Sequence, residues 1–409
     1  MRMEIKEEGR LLKAGVIGLG GRGQDQLYTL HNMKDVQIAA VCDVYEDRMQ
    51  EGMKLAEGAV GLQDYREMLK MPEIEVVFVF TDWLSHIPIA IDAMKAGKHV
   101  AMEVGGAASV EDCWRLVHTA EETGRECMIL ENCCYGEYEM AALNMIRQGK
   151  FGRIMHCEGA YGHDLREEIG YGDLNRHYRQ QHFLHRNAEL YPTHELGPIA
   201  QYLKLGRGNR MTSLCAMASG ACGLHEWLQK NRPDTALAQA QVNEGDIVTT
   251  LIACANGETI LLSHDCTLPR PYSRRNVVRG TKGCWYEDGH LLFVEGETPQ
   301  NENSWMHVGE SDERMIHEFR HPLWKAYDEF GQRGGHGGMD YLVLRAFVEA
   351  IQQHTPVPLD VYDTAMLMAV TPLSEQSIAM GGAPVPVPDF TGGAWIKASG
   401  EKGEGIYAI

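Results

Sequence analysis

The stretch Gly18-Leu19-Gly20-Gly21-Arg22-Gly23 closes a short apolar run, Leu12 to Leu19, and opens onto a polar segment of helical length. A G-x-G-x-x-G at a strand-to-helix turn constrains the fold more than any other feature of this chain. Its glycines permit a tight turn and close backbone approach, and the helix N-terminus that follows favours an anionic pyrophosphate. Alone the motif is an ordinary turn. Here a second apolar run, Val36 to Val44, carries Asp43, 20 residues beyond Gly23, where a carboxylate can hold both hydroxyls of an adenosine ribose. The combination predicts a dinucleotide site. A 2′-phosphate beside Asp43 would bring like charges to about 4 Å, at a cost of at most ~4 kcal/mol at an effective dielectric of about 20. NAD is therefore expected over NADP, with Arg22 and Arg48 the residues able to soften that preference.

The alternation continues through Ile74 to Thr81, His99 to Val104 and Cys127 to Asn132, with amphipathic stretches at Ser85 to Ala96 and Val110 to Thr123. Short apolar runs separated by helices predict a parallel sheet covered on both faces, a Rossmann domain over residues 1–132. Past 132 the pattern changes. One helix, Tyr138 to Gln148, precedes strand-like runs at 153–161, 210–218, 247–254, 259–266 and 275–280, and Ala255-Asn256-Gly257-Glu258 reads as a hairpin turn. Residues 133–409 are expected to form an α+β domain with a largely antiparallel open sheet, with helices at 339–353 and 361–380 covering that sheet or the interface. The segment 295–335 reads as loop. The fold class is α/β.

Composition excludes several partners. The 409 residues are 44% hydrophobic and carry a formal charge of −19, which repels nucleic acid and anionic membranes. No window reaches the roughly 18 apolar residues of a membrane span and none precedes the first strand, so a cytoplasmic protein is expected. Eleven cysteines with no C-x-x-C pair, and histidines without H-E-x-x-H spacing, suggest neither a disulfide framework nor a metal site.

Chemistry-bearing residues concentrate in the second half. Glu189-Leu190-Tyr191-Pro192-Thr193-His194 places a phenol and an imidazole at a helix entry, with Thr193 suited to cap it. Residues 156–194 hold six histidines interspersed with arginines and tyrosines, a mixture of donors and acceptors fit for a hydroxyl-rich ligand. His336 and Asp340 read as fastening a helix start.

Thr81-Asp82-Trp83-Leu84-Ser85-His86 and Ala96-Gly97-Lys98-His99-Val100-Ala101-Met102-Glu103 resemble the glucose-fructose oxidoreductase and inositol dehydrogenase (Gfo/Idh/MocA) superfamily. There the glutamate is usually followed by Lys-Pro, the lysine assisting proton removal; this chain has Val104-Gly105. Glu131-Asn132-Cys133-Cys134-Tyr135-Gly136, the segment from Glu158 to Arg166, Leu190 to His194, Leu268 to Arg274 and His336-Gly337-Gly338-Met339-Asp340 resemble, more narrowly, glycoside hydrolase family 109, the NAD-dependent α-N-acetylgalactosaminidases. The likeness runs from about residue 15 to 390. It implies cofactor contacts at Gly21, Arg22, Asp43, Trp83, Leu84, Ser85, His86, Glu103, Val104 and Asn132, beside Gly18, Gly20 and Gly23 of the fingerprint. Substrate contacts fall on Tyr161, Arg179, Tyr191, Pro192, Thr193, His194 and Tyr272. Two departures are Gly105, where the family usually has proline, and Asn175-Arg176-His177-Tyr178-Arg179, which follows the family's tryptophan- and arginine-rich run only loosely.

The implied activity is hydrolysis of a glycosidic bond by transient oxidation at the sugar's C3, elimination, water addition and re-reduction, with NAD tightly bound and recycled within each turnover. It does not need the facing carboxylates of ordinary glycosidases. His194 is the leading acid/base candidate, with Tyr191, Tyr161 and Tyr272 as relay partners. The alternatives are a net NAD-dependent sugar or glycoside dehydrogenase and a non-catalytic NAD- and sugar-binding sensor. The resemblance also implies a homo-oligomer formed through the exposed face of the second sheet.

Overall fold

The apolar runs of the first third form six parallel strands: β1 (Leu12–Ile17), β2 (Val36–Cys42), β3 (Val60–Leu62), β4 (Val76–Val79), β5 (His99–Met102) and β6 (Cys127–Ile129). Their order, β3-β2-β1-β4-β5-β6, reverses beside β1 and makes the Rossmann switch point. All four β4 residues are buried, as expected of a strand with helices on both faces. The helix Val110–Thr123 has the boundaries its sequence predicts. Ser109 Oγ accepts the Asp112 amide at 3.1 Å, and Gly124 ends the helix at φ 61°.

The computed structural model describes residues 4–299, 309–331, 334–400 and 402–409. The chain divides into two compact units: Met1–Gly136, His321–Met366 and Gly400–Ile409 form one, and Glu137–Arg320 with Leu367–Ser399 the other. Residues 321–366 and 400–409, assigned from sequence to the second domain, thus pack with the first. The helix Met339–Gln353 explains why. Nearly every residue from Asp340 to Ile351 is buried, Phe347 sets its ring edge on Phe78 at 5.5 Å, and Arg345 Nη1 donates to Asp35 at 2.7 Å. An apolar helix with a buried cation needs partners, and the first sheet supplies both.

Among the described residues the second unit holds nine strands: β7 (Ile154–Gly162), β8 (Met211–Ala218), β9 (Ile247–Cys254), β10 (Thr259–Asp265), β11 (Val277–Gly280), β12 (Gly283–Tyr286), β13 (Leu291–Val294), β14 (Glu310–Ser311) and β15 (Val385–Pro386). They lie in the order β14-β13-β12-β11-β7-β10-β9-β8-β15, with β7 and β10 parallel and the other pairs antiparallel. β9 and β10 alternate between buried and less buried positions, as one-sided strands do, and Gly257 at φ 94° turns the hairpin that joins them.

The described residues of the segment 295–335 hold more regular structure than its sequence suggests. It contains β14 and the helices Glu313–Phe319 and Pro322–Phe330, the latter with Pro322 in its first turn and His321 accepting the Leu323 amide at 3.2 Å. Residues 300–308 and 332–333 lie outside the described residues. The stretch 361–380 is two helices, Val361–Met368 and Val370–Ala379, because Pro372 fits a first turn and not a helix interior. No helix among the described residues is long and apolar enough to cross a membrane.

Candidate functional site

In the first unit, the glycine loop is shaped by close approach at two of its glycines. Gly18 has φ 91°, and a Cβ there would lie 2.6 Å from the Phe80 carbonyl; a Cβ on Gly23 would lie 2.0 Å from the Gly18 oxygen. The other two glycines face open space. A Cβ on Gly20 would meet only the Arg48 guanidinium, at 3.5 Å, and one on Gly21 nothing within 4 Å. The helix Gly21–His31 has no side-chain cap and no acidic residue in its first turn, so its N-terminal dipole is left for an anion.

Asp43 follows β2, buried, and accepts the Leu19 amide at 2.7 Å on one oxygen and the Tyr45 amide at 2.9 Å on the other. Each oxygen keeps a lone pair for a hydroxyl. Arg48 lies over the Tyr45 ring at 5.0 Å. An open cradle, an uncapped helix start and a carboxylate at the end of the second strand fit a dinucleotide.

Arg22 is held from two sides. Its Nε donates to Glu103 at 2.8 Å and its Nη1 to Asp340 at 2.7 Å. Asp340 also accepts Asn132 Nδ2 at 2.7 Å, Gln26 Nε2 at 3.1 Å and, at 2.8 Å, lies against His336 Nδ1. Burial would push the Asp340 carboxyl up, but the bonds from His336 and Arg22 outweigh it and hold the group well below the usual carboxylate range. Burial likewise opposes the Arg22 charge, and Glu103 and Asp340 more than restore it. His336 is raised, chiefly by its bond to Asp340. Of three candidates from the sequence, Arg22 bonds Glu103 directly and is joined to Asn132 through Asp340, which, with His336, the sequence reading left aside. The signal was the spacing of His336 and Asp340 around Gly337-Gly338, two glycines at φ 66° and 106°, which turn the chain sharply into the helix that carries Asp340.

The remaining cofactor candidates sit around β4 and β5. Gly105 has φ 141°, and a Cβ there would lie 2.2 Å from the Trp83 indole, which accounts for glycine where the family usually has proline. Val104 is buried, its amide on Glu103 Oε1 at 3.0 Å. His86 is wholly buried with Nε2 3.0 Å from the Thr81 carbonyl, and burial pushes its imidazole down. Ser85 Oγ is engaged by Thr81 and Asp82, whereas Leu84 is exposed.

The substrate candidates belong to the second unit, where four of them converge. Tyr161 ends β7; its ring centroid lies 4.3 Å from that of Tyr191 and 5.7 Å from that of His194, and Tyr191 and His194 are 4.9 Å apart. Arg179, at the start of the helix Arg179–His185, places its guanidinium 5.0 Å from the Tyr191 ring and 5.8 Å from the Tyr161 ring, with Nη1 3.5 Å from Tyr161 Oη and 3.3 Å from Glu168. Burial works against the Arg179 charge, and Tyr161, Tyr178 and Glu168 more than compensate. Burial pushes the Tyr161 phenol up to about 12, with Arg179 opposing.

His163 completes the group and was not singled out from sequence. Its Nδ1 lies 3.3 Å from Tyr161 Oη, its ring 5.2 Å from the half-exposed Tyr272, and burial lowers its basicity. Thr193 is not the helix cap expected of it. The helix Thr193–Tyr202 begins at that residue after Pro192, and the buried Thr193 Oγ1 has no hydrogen-bond partner among the described residues.

Family models match both halves of the chain. Residues 12–131 match the oxidoreductase family with an NAD-binding Rossmann fold, and residues 135–397 match the C-terminal domain of glycosyl hydrolase 109. An α-N-acetylgalactosaminidase of Tannerella forsythia is 38% identical over 94% of this chain and 87% of its own length. A glycosyl hydrolase family 109 protein of Stenotrophomonas maltophilia is 40% identical over 95% and 90%. Among solved structures, levoglucosan dehydrogenase in complex with NADH and L-sorbose superposes with a TM-score of 0.68 at 18% identity, covering 93% of this chain and all of that one. The Lactobacillus casei scyllo-inositol dehydrogenase with bound NAD(H) gives 0.63 at 15%, over 92% and 99%; both are likenesses of fold. On the strength of the matched domains and full-length relatives, this chain belongs to glycosyl hydrolase family 109.

Proposed function

We propose that the protein is an NAD-dependent glycoside hydrolase of the α-N-acetylgalactosaminidase type, acting by oxidation at C3, elimination, water addition and re-reduction. The observation that carries the reading is the convergence of Tyr161, Arg179, Tyr191 and His194 in the second unit of a chain whose first unit has an NAD-binding fold and carries Val104 at the position of the superfamily's usual lysine. NAD, when bound, would supply a reversible hydride acceptor for C3 of the sugar; the ketone left at C3 would make the C2 proton acidic and let the C1 oxygen depart. Gly20, Gly21, Arg22 and Asp43 would hold NAD.

The chain's own groups then divide the proton work. Tyr161, with its phenol held protonated, donates a hydrogen bond to a sugar oxygen and is poorly suited as a base. His194, packed against both tyrosines, takes the acid/base role. The Arg179 cation beneath the two phenol rings stabilises negative charge that develops on the sugar after loss of the C2 proton. Thr193 Oγ1, Pro192 and Tyr272 serve as sugar contacts. Eight of the eleven cysteines are buried and none forms a disulfide, which supports a cytoplasmic protein. Met217 of β8 and Leu251 of β9, exposed and on one face by register, support self-association through the second sheet.

Reaction in D₂O tests the chemistry. Deuterium should appear at C2 of the released sugar, with NAD acting in catalytic quantity. Cleavage without C2 deuterium sinks the mechanism, and one NADH per product would make the protein a net dehydrogenase.

A further inference from the structure

Beneath Tyr191 and His194 lies a group of carboxyls that this mechanism does not use. Glu189, Glu195 and Glu244 are each 0% exposed, and His264 is 1% exposed. Glu195 Oε2 accepts the Ser263 amide of β10 at 2.9 Å, and Glu244 Oε2 accepts the Ala188 amide at 2.9 Å. The Glu189 and Glu195 carboxyls lie within hydrogen-bonding reach of one another. Yet among the described residues neither Glu189 oxygen, nor Glu195 Oε1, receives an N–H or O–H donor; the Tyr191 and His264 amides approach Glu189, and the Tyr161 amide approaches Glu195, without the geometry of a hydrogen bond. Two carboxylates cannot bond to each other without a proton between them.

The surroundings offer no alternative. His264 Nδ1 lies 3.3 Å from Glu244, but burial pushes that imidazole down to about 3, so it brings no positive charge. Glu244 and the Cys266 thiol are themselves pushed up by burial. Arg186 is ion-paired with Glu375 at 2.7 Å, and Arg179 is engaged with Tyr161 and Glu168. No cation among the described residues forms an ion pair with Glu189 or Glu195.

We propose that Glu189 and Glu195 hold at least one proton between them at neutral pH and act as a protonated clasp, positioning Tyr191 and His194. The sequence positions give the clasp its leverage. Glu189 precedes the entry segment Leu190-Tyr191-Pro192, and Glu195 follows His194 in the helix's first turn, so the pair closes a short loop that carries the buried Tyr191 phenol and the half-buried His194 imidazole. Glu195 also fastens that loop to β10 through Ser263. Loss of the last shared proton leaves two like charges in a dry site and drives the ends of the loop apart. Burial raises Glu189 to about 8, and burial with the Glu189 charge raises Glu195 further, so the pair keeps one proton after Glu189 ionises, and opening belongs to the alkaline loss of the second.

This role rests on reading that helix start as catalytic, and the test separates the two. In the full-length protein with NAD bound, infrared difference spectra from neutral pH upward should show the carbonyl stretch of a protonated carboxylic acid decline. E189Q/E195Q, an amide pair that cannot ionise, should show a smaller decline. The variant's kcat should hold where the wild-type kcat falls on the alkaline side, a response that a merely structural pair would not give. An alkaline limb unchanged in a folded variant overturns the proposal. Should the variant not fold, wild-type spectra without the carbonyl decline overturn it alone. Absence of glycoside cleavage by the wild type would refute the proposed function and leave the infrared result standing.

Discussion

Replacing Asp340 with asparagine keeps the side chain's shape and removes its charge. In the native protein one oxygen faces Arg22, His336 and Gln26 and the other faces Asn132, all within 3.1 Å. Whichever way the new amide turns, an NH₂ meets a donor. A hydrogen bond to a charged group contributes about 1.5–3 kcal/mol, and breaking a buried ion pair costs about 3–5 kcal/mol. Arg22 retains Glu103 and its side chain is 29% exposed, so the lower part of that range applies, about 2–3 kcal/mol. For a domain of this size that is a fall of about 5–10 °C in Tm. The pH dependence gives a second reading. Asp340, depressed, adds stability above the ordinary carboxylate pKa that is lost as pH falls through its native value. His336, raised, adds stability below the ordinary imidazole pKa that is lost as pH rises through its native value. The gap between wild type and D340N should therefore be widest between these two ranges and narrow above the second. Differential scanning calorimetry across pH, with an NAD titration beside it, measures both. A D340N protein with the wild-type Tm and wild-type NAD affinity would refute the network as a support of the cofactor loop.

Gly23→Ala should abolish NAD binding, because its Cβ would sit 2.0 Å from the Gly18 oxygen, while Gly21→Ala should fold normally, having nothing within 4 Å; calorimetric NAD titration of both is the check. His194→Ala should lower kcat by roughly 10²–10⁴ with NAD still bound, the usual contribution of a positioned acid/base; a folded variant turning over at the wild-type rate removes His194 from the chemistry. NAD should bind more tightly than NADP, since both Asp43 oxygens stay fixed beside the glycine loop and Arg22 is committed to Glu103 and Asp340. Tighter NADP binding in a competition assay would overturn that preference.

Much of this was legible from residue pattern alone, for physical reasons that vary along the chain. The parallel strands announce themselves because burial on both faces demands unbroken apolar runs, and β9 and β10 because a one-sided sheet demands alternation. The β12–β13 hairpin was missed although Asp288-Gly289 marks its turn, with Gly289 at φ 96°; four-residue strands carry too few alternations to read. Pro322–Phe330 was missed because its cap is a histidine, an uncommon signal. In the candidate site, Tyr191 and His194 stand out in local sequence, whereas Tyr161 and Tyr272 come from the family resemblance. Asp340 could not be read locally, since what it does is decided by Arg22, 318 residues earlier. The clasp was equally hidden, because a buried glutamate next to a histidine looks in sequence like any helix-start acid.

That long separation also sets a timetable for synthesis. Arg22, Glu103 and Asn132 leave the ribosome early, but Asp340 follows Asn132 by 208 residues, roughly 10–40 s at ordinary elongation rates. Throughout that interval the nascent glycine loop has its arginine and no second carboxylate to hold it, and the sheet lacks the apolar helix that carries Phe347. The early segment must wait, collapsed and open to chaperones, for a late one to finish it. Premature termination before residue 340 would leave a dinucleotide fold that contains its whole fingerprint and still lacks its anchor.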